Sequence, residues 1–192
     1  MPSSRVVEQT IRRSFPHPIA HAWRRIALET SDAGRVKQLI ACQEALLRTL
    51  VAFLLPDYLR GAPSDAVENF LPKLEKPSQG HRLGLIREMI RHLHARESPA
   101  MFMPHAAAWY FDAKGKPTDT AKRLDDLVAL RNKIAHGHVL TGKALMDQAS
   151  SLLTSQREIM RSLKWLAGYR LMRQLTGAPT RAGGFKGKVQ YL

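Results

Sequence analysis

A single cysteine, Cys42, rules out an internal disulfide, and with it the disulfide-stapled scaffold of an oxidising compartment. The same scarcity excludes a structural zinc site built from several thiolates. Acidic side chains are few: 16 Asp and Glu stand against 30 Lys and Arg, a net charge of +14. Long hydrophobic runs are missing as well. The most apolar stretch, Leu39 to Leu55, is 17 residues long, at the bottom of the membrane-spanning range, and is broken by Gln43, Glu44 and Arg48. The opening residues Met1-Pro2-Ser3-Ser4-Arg5 lead into mixed polar sequence with no apolar signal core. A cytoplasmic protein with no membrane partner is expected. No phosphate loop, dinucleotide fingerprint or hydrolase elbow occurs. The pair Gly183-Gly184 lacks the strand and helix that such a loop needs.

What is present suits one folded domain with a tail. The chain has 192 residues, 44% of them hydrophobic, which is enough apolar matter for a core and argues against disorder. The positive charge is uneven: residues 151–192 hold 8 basic side chains and 1 acidic one, or +7, half of the total. Such a surplus attracts polyanions, nucleic acid among them, though a basic surface also serves solubility alone.

Along the chain, helical periodicity alternates with proline and glycine punctuation. Helices are expected over residues 5–14 and 19–28. A long third helix, capped by Ser31 or Asp32, should run to about Leu55, where Pro56 ends or kinks it. Its apolar residues surround most of the circumference, which makes it central to the fold. A short helix follows Pro63-Ser64-Asp65, and residues 72–77 read as a linker. Ser78 is placed to cap a helix over about residues 80–96, whose Leu83, Ile86, Ile90 and Leu93 share a face. Residues 98–111 are ambiguous, and residues 112–117 form a turn. Thr118 or Thr120 should open a helix ending at Gly137. Thr141-Gly142 should open a last long helix reaching about Leu175. Beyond it, glycines sit among basic residues, and Phe185 to Leu192 alternates weakly like a strand. The fold class is therefore all-α. The expected division is an N-terminal arm over 1–16, a helical domain over 17–175, and a basic glycine-rich tail or start of a further domain over 176–192.

One motif carries chemistry. The helix before Gly137 ends Arg131-Asn132-Lys133-Ile134-Ala135-His136. An arginine five residues before a histidine is common by chance in a chain with 19 Arg and 8 His, and three such pairs occur: Arg12–His17, Arg87–His92 and Arg131–His136. Only two asparagines exist in the chain, and one of them follows Arg131. Only this pair, too, stands late on an amphipathic helix ahead of a glycine. Arg131-Asn132-x-x-x-His136 resembles the signature of the HEPN superfamily (higher eukaryote and prokaryote nucleotide-binding domains). The match is tight over residues 124–138, and over 19–175 it extends to helix order. The resemblance implies an up-and-down helical bundle with two long antiparallel core helices plus shorter ones. It also implies a homodimer that brings two copies of the motif together, and often a metal-independent endoribonuclease with no cofactor, acting in defence or as a toxin. A toxin subclass has a tyrosine two residues after the histidine, a target for its partner; here that residue is His138, so that particular antitoxin pairing gains no support and any regulatory partner is unknown.

Residue chemistry stands beside the resemblance. Five helical residues span about 500°, so Arg131 and His136 lie about 140° apart around the axis, whereas Asn132 and His136 share a face. Carbonyl dipoles at a helix C-terminus favour imidazolium, and a histidine titrating near neutrality suits proton transfer. Arg131 offers a planar cationic fork for phosphate, and Asn132 an amide to orient the ring or the phosphate. The alternatives are structural: Arg131 as a buried ion-pair member, His136 as a helix cap. Lys133 and His138 are candidates for nucleic-acid contact. Glu44 and Arg48, four apart on the third helix, can pair as a packing element or border the cleft and orient Arg131. His92 and His94 are two apart and point to different sides, a poor metal spacing. Asp125-Asp126 reads as solvated charge, and Trp23, Trp109, Tyr110 and Phe111 as packing more than base stacking. The function classes left open are an RNA-cleaving enzyme, a non-catalytic RNA- or nucleotide-binding module, and a dimerising interaction module of a larger system.

Overall fold

Ser31 starts the central element of the structure. Its hydroxyl accepts a hydrogen bond from the Gly34 amide at 3.0 Å, and the helix it caps runs Asp32–Tyr58. The computed structural model describes residues 4–95, 103–135, 141–169, 172–179 and 185–191. Before the central helix α3 come α1 (Ser4–Ser14) and α2 (His17–Leu28). After it come α4 (Asp65–Glu68), a 3-10 turn at Leu71–Leu74, α5 (Gln79–Ala95), α6 (His105–Tyr110), α7 (Asp119–Ala135) and α8 (Gly142–Ser162). A second 3-10 turn, Lys164–Gly168, leads to an antiparallel hairpin of β1 (Met172–Pro179) and β2 (Phe185–Tyr191). Met172 pairs with Tyr191 and Pro179 with Phe185, with one irregularity between Gln174 and Thr176.

The body of the chain is all-α. α3 packs against α2, α5 and α8, and α7 packs against α5, α6 and α8. Leu46, Leu47, Leu50 and Leu54 of α3 are almost fully buried, each contributing about 1.5–3 kcal/mol of apolar burial. α3 is long and apolar enough to cross a membrane, with mean hydropathy 1.6 over its most apolar window, half of which is buried inside the protein. Packing on three neighbouring helices gives that apolarity a structural cause. α1 belongs to the same core through Val7, Ile11 and Phe15.

Three boundaries differ from the sequence reading, each for a physical reason. α3 continues through Pro56 to Tyr58, because Tyr58 is 1% exposed and the Leu59 amide still bonds to the Leu55 carbonyl at 3.0 Å. Burial of the last turn outweighs the donor that proline lacks. Pro72 lies inside a 3-10 turn, at a position where no amide hydrogen is required, so residues 72–77 are not simply a linker. α8 stops at Ser162 instead of reaching Leu175. The Ser162 hydroxyl accepts from Trp109 Nε1 at 2.9 Å and donates back to the Ile159 carbonyl at 2.7 Å. The three-residue period of the following 3-10 turn then buries Leu163 and Leu166 on one side. Residues 172–175 are strand, not helix.

Candidate functional site

Thr118 sets the start of the motif helix. Its hydroxyl accepts from the Ala121 amide at 3.3 Å and donates to the Trp109 carbonyl at 2.7 Å, tying α7 to α6. Ala121, Leu124, Leu127 and Val128 then face the core. Arg131 follows on the same face, seven residues after Leu124, but half-buried. Asn132 is half-buried too, and Lys133 is exposed. Arg131 Nη1 donates to Asn132 Oδ1 at 3.3 Å, a long hydrogen bond, and among the described residues Arg131 has no carboxylate partner. The ion-pair role expected as the structural alternative is therefore not what the described residues show. His136 and His138 lie outside the described residues.

α5 runs antiparallel to α7. Arg87 of α5 meets Asp125 at 2.7 Å, and a side chain at Gly80 would begin 4.0 Å from Val128 Cγ1. Arg131 lies three residues, about 4.5 Å of helical rise, beyond Val128. At the start of α5 the Ser78 hydroxyl accepts from the His81 amide at 3.1 Å.

Glu44 and Arg48 do pair, as their spacing indicates, but the pair is not buried: the side chains are 33% and 64% exposed. Glu44 also accepts from Arg82 Nη1 at 3.3 Å. Burial presses the Arg82 guanidinium downward from its usual range, with Arg48 adding repulsion and Glu44 opposing both. Among the described residues no hydrogen bond or ion pair joins the Glu44–Arg48–Arg82 group to Arg131. The group borders a shallow groove of about 440 Å³ lined by Pro18, Ala41, Ala45 and Ala52.

Other sequence readings resolve as follows. Trp23, Trp109, Tyr110 and Phe111 are all buried and pack the core. The His92 ring lies 3.1 Å from the Ala62 carbonyl, and among the described residues no three His, Cys, Asp or Glu side chains gather to hold a metal. Asp126 is exposed, but Asp125 is not simply solvated. Arg87 bridges Asp125 and the Tyr110 hydroxyl, donating to the latter through Nε at 2.9 Å. Burial raises the Asp125 carboxyl above its usual range, with Arg87 opposing, and burial likewise raises Tyr110. The hydrogen bond to Tyr110 holds Arg87 up. Sequence reasoning missed this node because its members are 23 and 38 residues from Arg87 and carry no local spacing signal.

Compared with family models, curated proteins and solved structures, the chain matches none.

Proposed function

We propose that the chain is a metal-independent endoribonuclease of the HEPN type, active as a homodimer across the Arg131-Asn132-x-x-x-His136 motif and acting in the cytoplasm as a defence or toxin effector. The observation that carries the reading is the placement of Arg131 and Asn132: side by side, half-buried, near the end of α7, with an arginine fork that no carboxylate neutralises among the described residues. The two long core helices of the family pattern correspond in this reading to α3 and α8.

RNA cleavage by this set balances without a cofactor. His136 takes the 2′-hydroxyl proton, the 2′-oxygen bonds to phosphorus, and the bond to the 5′-oxygen breaks. The 5′-oxygen receives a proton, from the second His136 in the dimer reading. Arg131 stabilises the charge on the phosphorane, and Asn132 orients. Lys133 and His138 contact the strand. The test is total RNA incubated in EDTA with wild type and with Arg131→Ala. Loss of transition-state charge stabilisation should slow cleavage roughly 100- to 1000-fold. Equal rates for the two proteins would remove Arg131 from the mechanism.

A second reading, a non-catalytic RNA- or nucleotide-binding or dimerising module, is favoured by the +14 charge, which supports phosphate binding whether or not a bond is broken. Salt-dependent RNA binding without cleavage by the wild type would select it.

A further inference from the structure

A second cationic feature lies away from the motif, where α1, the end of α2, the start of α3 and the middle of α8 meet. There a cavity of about 240 Å³ is walled by Glu8, Arg12, Trp23, Glu29, Arg35 and Arg157, among others. Three guanidinium groups from three helices converge on one space.

Among the described residues, their hydrogen-bonding capacity is mostly unspent. Each guanidinium carries five N–H donors. Arg157 uses Nη2 on Glu8 Oε1 at 2.7 Å, and its Nε is buried without a partner. Arg35 uses Nη1 on Asp32 at 2.9 Å. Arg12 has a single carboxylate oxygen nearby, Glu8 Oε2 at 3.8 Å, too far for a hydrogen bond, and its Nε is also buried without a partner. Arg24 braces the site from below by donating to the Arg12 carbonyl at 2.6 Å.

The two acids that line the cavity leave most of these donors free. Glu29 turns its carboxylate onto its own chain, accepting from the Thr30 and Ser31 amides and the Ser31 hydroxyl at 3.1–3.2 Å. Gly34 makes room for that turn: a Cβ there would lie 2.2–2.4 Å from the carboxylate of Glu29. Glu8 is shared between two arginines, hydrogen-bonded to Arg157 and within ion-pair range of Arg12. With Asp32 beside Arg35, three cations stand against three carboxylates, so the capacity of the wall for an anion rests on the guanidinium N–H groups that these carboxylates leave unbonded. Arginine in place of lysine matters here, because a planar fork matches two phosphate oxygens at once.

We propose that this cavity is a phosphate-binding site, separate from the Arg131 motif, that takes a phosphate group of a nucleotide or of an RNA strand on Arg12, Arg35 and Arg157. It needs no chemistry at Arg131, so it stands or falls independently of the nuclease reading.

The experiment measures binding to full-length protein carrying Arg131→Ala, which keeps the probe intact. The probes are a fluorescent RNA oligonucleotide, adenosine monophosphate and inorganic phosphate, each across a salt series. Arg12→Gln and Arg35→Gln, made singly, test the site, and circular dichroism confirms folding. Among the described residues Arg35 is ion-paired only with a half-exposed aspartate, Asp32, so its variant leaves the core intact. If the ligand is a strand, each variant weakens oligonucleotide binding several-fold and lowers the salt slope by roughly 0.7 per lost contact, and mononucleotide binding is negligible. If the ligand is a free nucleotide, both small probes bind to the parent and lose affinity in the variants. Unchanged affinity and slope in both variants, or no binding of any probe to the parent, overturns the proposal.

Discussion

At the scale of single residues, burial decides reactivity. Cys42 is fully buried in α3, and desolvation pushes its thiol up to about 12, with only a weak contact from Gln156 in the other direction. The thiolate is the reactive form, so Cys42 is expected to resist a thiol reagent at pH 8 in the native protein and to react fully in denaturant. Labelling at equal rates in both states would contradict its burial. Asp125 supplies a pH test. Its folded carboxyl is raised above 3.8, so the folded state binds the proton more tightly than the unfolded chain does. The resulting stability is present below 3.8 and is lost as pH rises through the raised value. Wild type should therefore lose stability relative to Asp125→Asn as pH is raised from 3 to 7, measured as the difference in Tm. A difference that does not change with pH would remove burial as the dominant influence on Asp125. The contrast between these residues and the motif shows what sequence can reveal. Arg131 and Asn132 are adjacent in the chain, so their pairing is legible. Arg87 finds Asp125 only because α5 and α7 pack, and no local pattern announces that.

At the scale of elements, propensity and packing disagree in informative places. Gly84 lies inside α5, where alanine would favour the helix by about 1 kcal/mol. A Cβ there would meet the Phe70 ring, with carbons at 2.5 and 2.6 Å. Overpacking costs about 1–3 kcal/mol, so Gly84→Ala is expected to destabilise the protein in urea unfolding despite its better propensity. Phe70→Leu should recover much of the loss. A more stable Gly84→Ala protein would mean that Phe70 moves aside freely. The same competition explains the misread boundaries. The capping residues Ser31, Ser78 and Thr118 were legible because each acts within four residues of its own position. The end of α8 was not, because Trp109, 53 residues away, anchors Ser162. Apolar periodicity continued past Ser162 in the sequence, while the tertiary contact broke the helix.

At the scale of the whole molecule, the chain carries a net +14 charge, and two places on its all-α body present arginine. One is the end of α7, where Arg131 and Asn132 stand side by side. The other is the arginine-walled cavity between α1, α2, α3 and α8. Composition raises the expectation of a polyanion partner; convergence of Arg12, Arg35 and Arg157 is a property of the packing and could not be read from their positions in the chain. In the proposed reading, a phosphate chain is held at the second place and cleaved at the first. The most direct test of the central claim is the chemistry of the RNA ends left by wild type and by His136→Ala in EDTA. The account predicts 2′,3′-cyclic phosphate and 5′-hydroxyl ends from the wild type, and a rate lower by roughly 100- to 10,000-fold in the variant. Intact RNA with the wild type, other end groups, or undiminished cleavage by His136→Ala would contradict it.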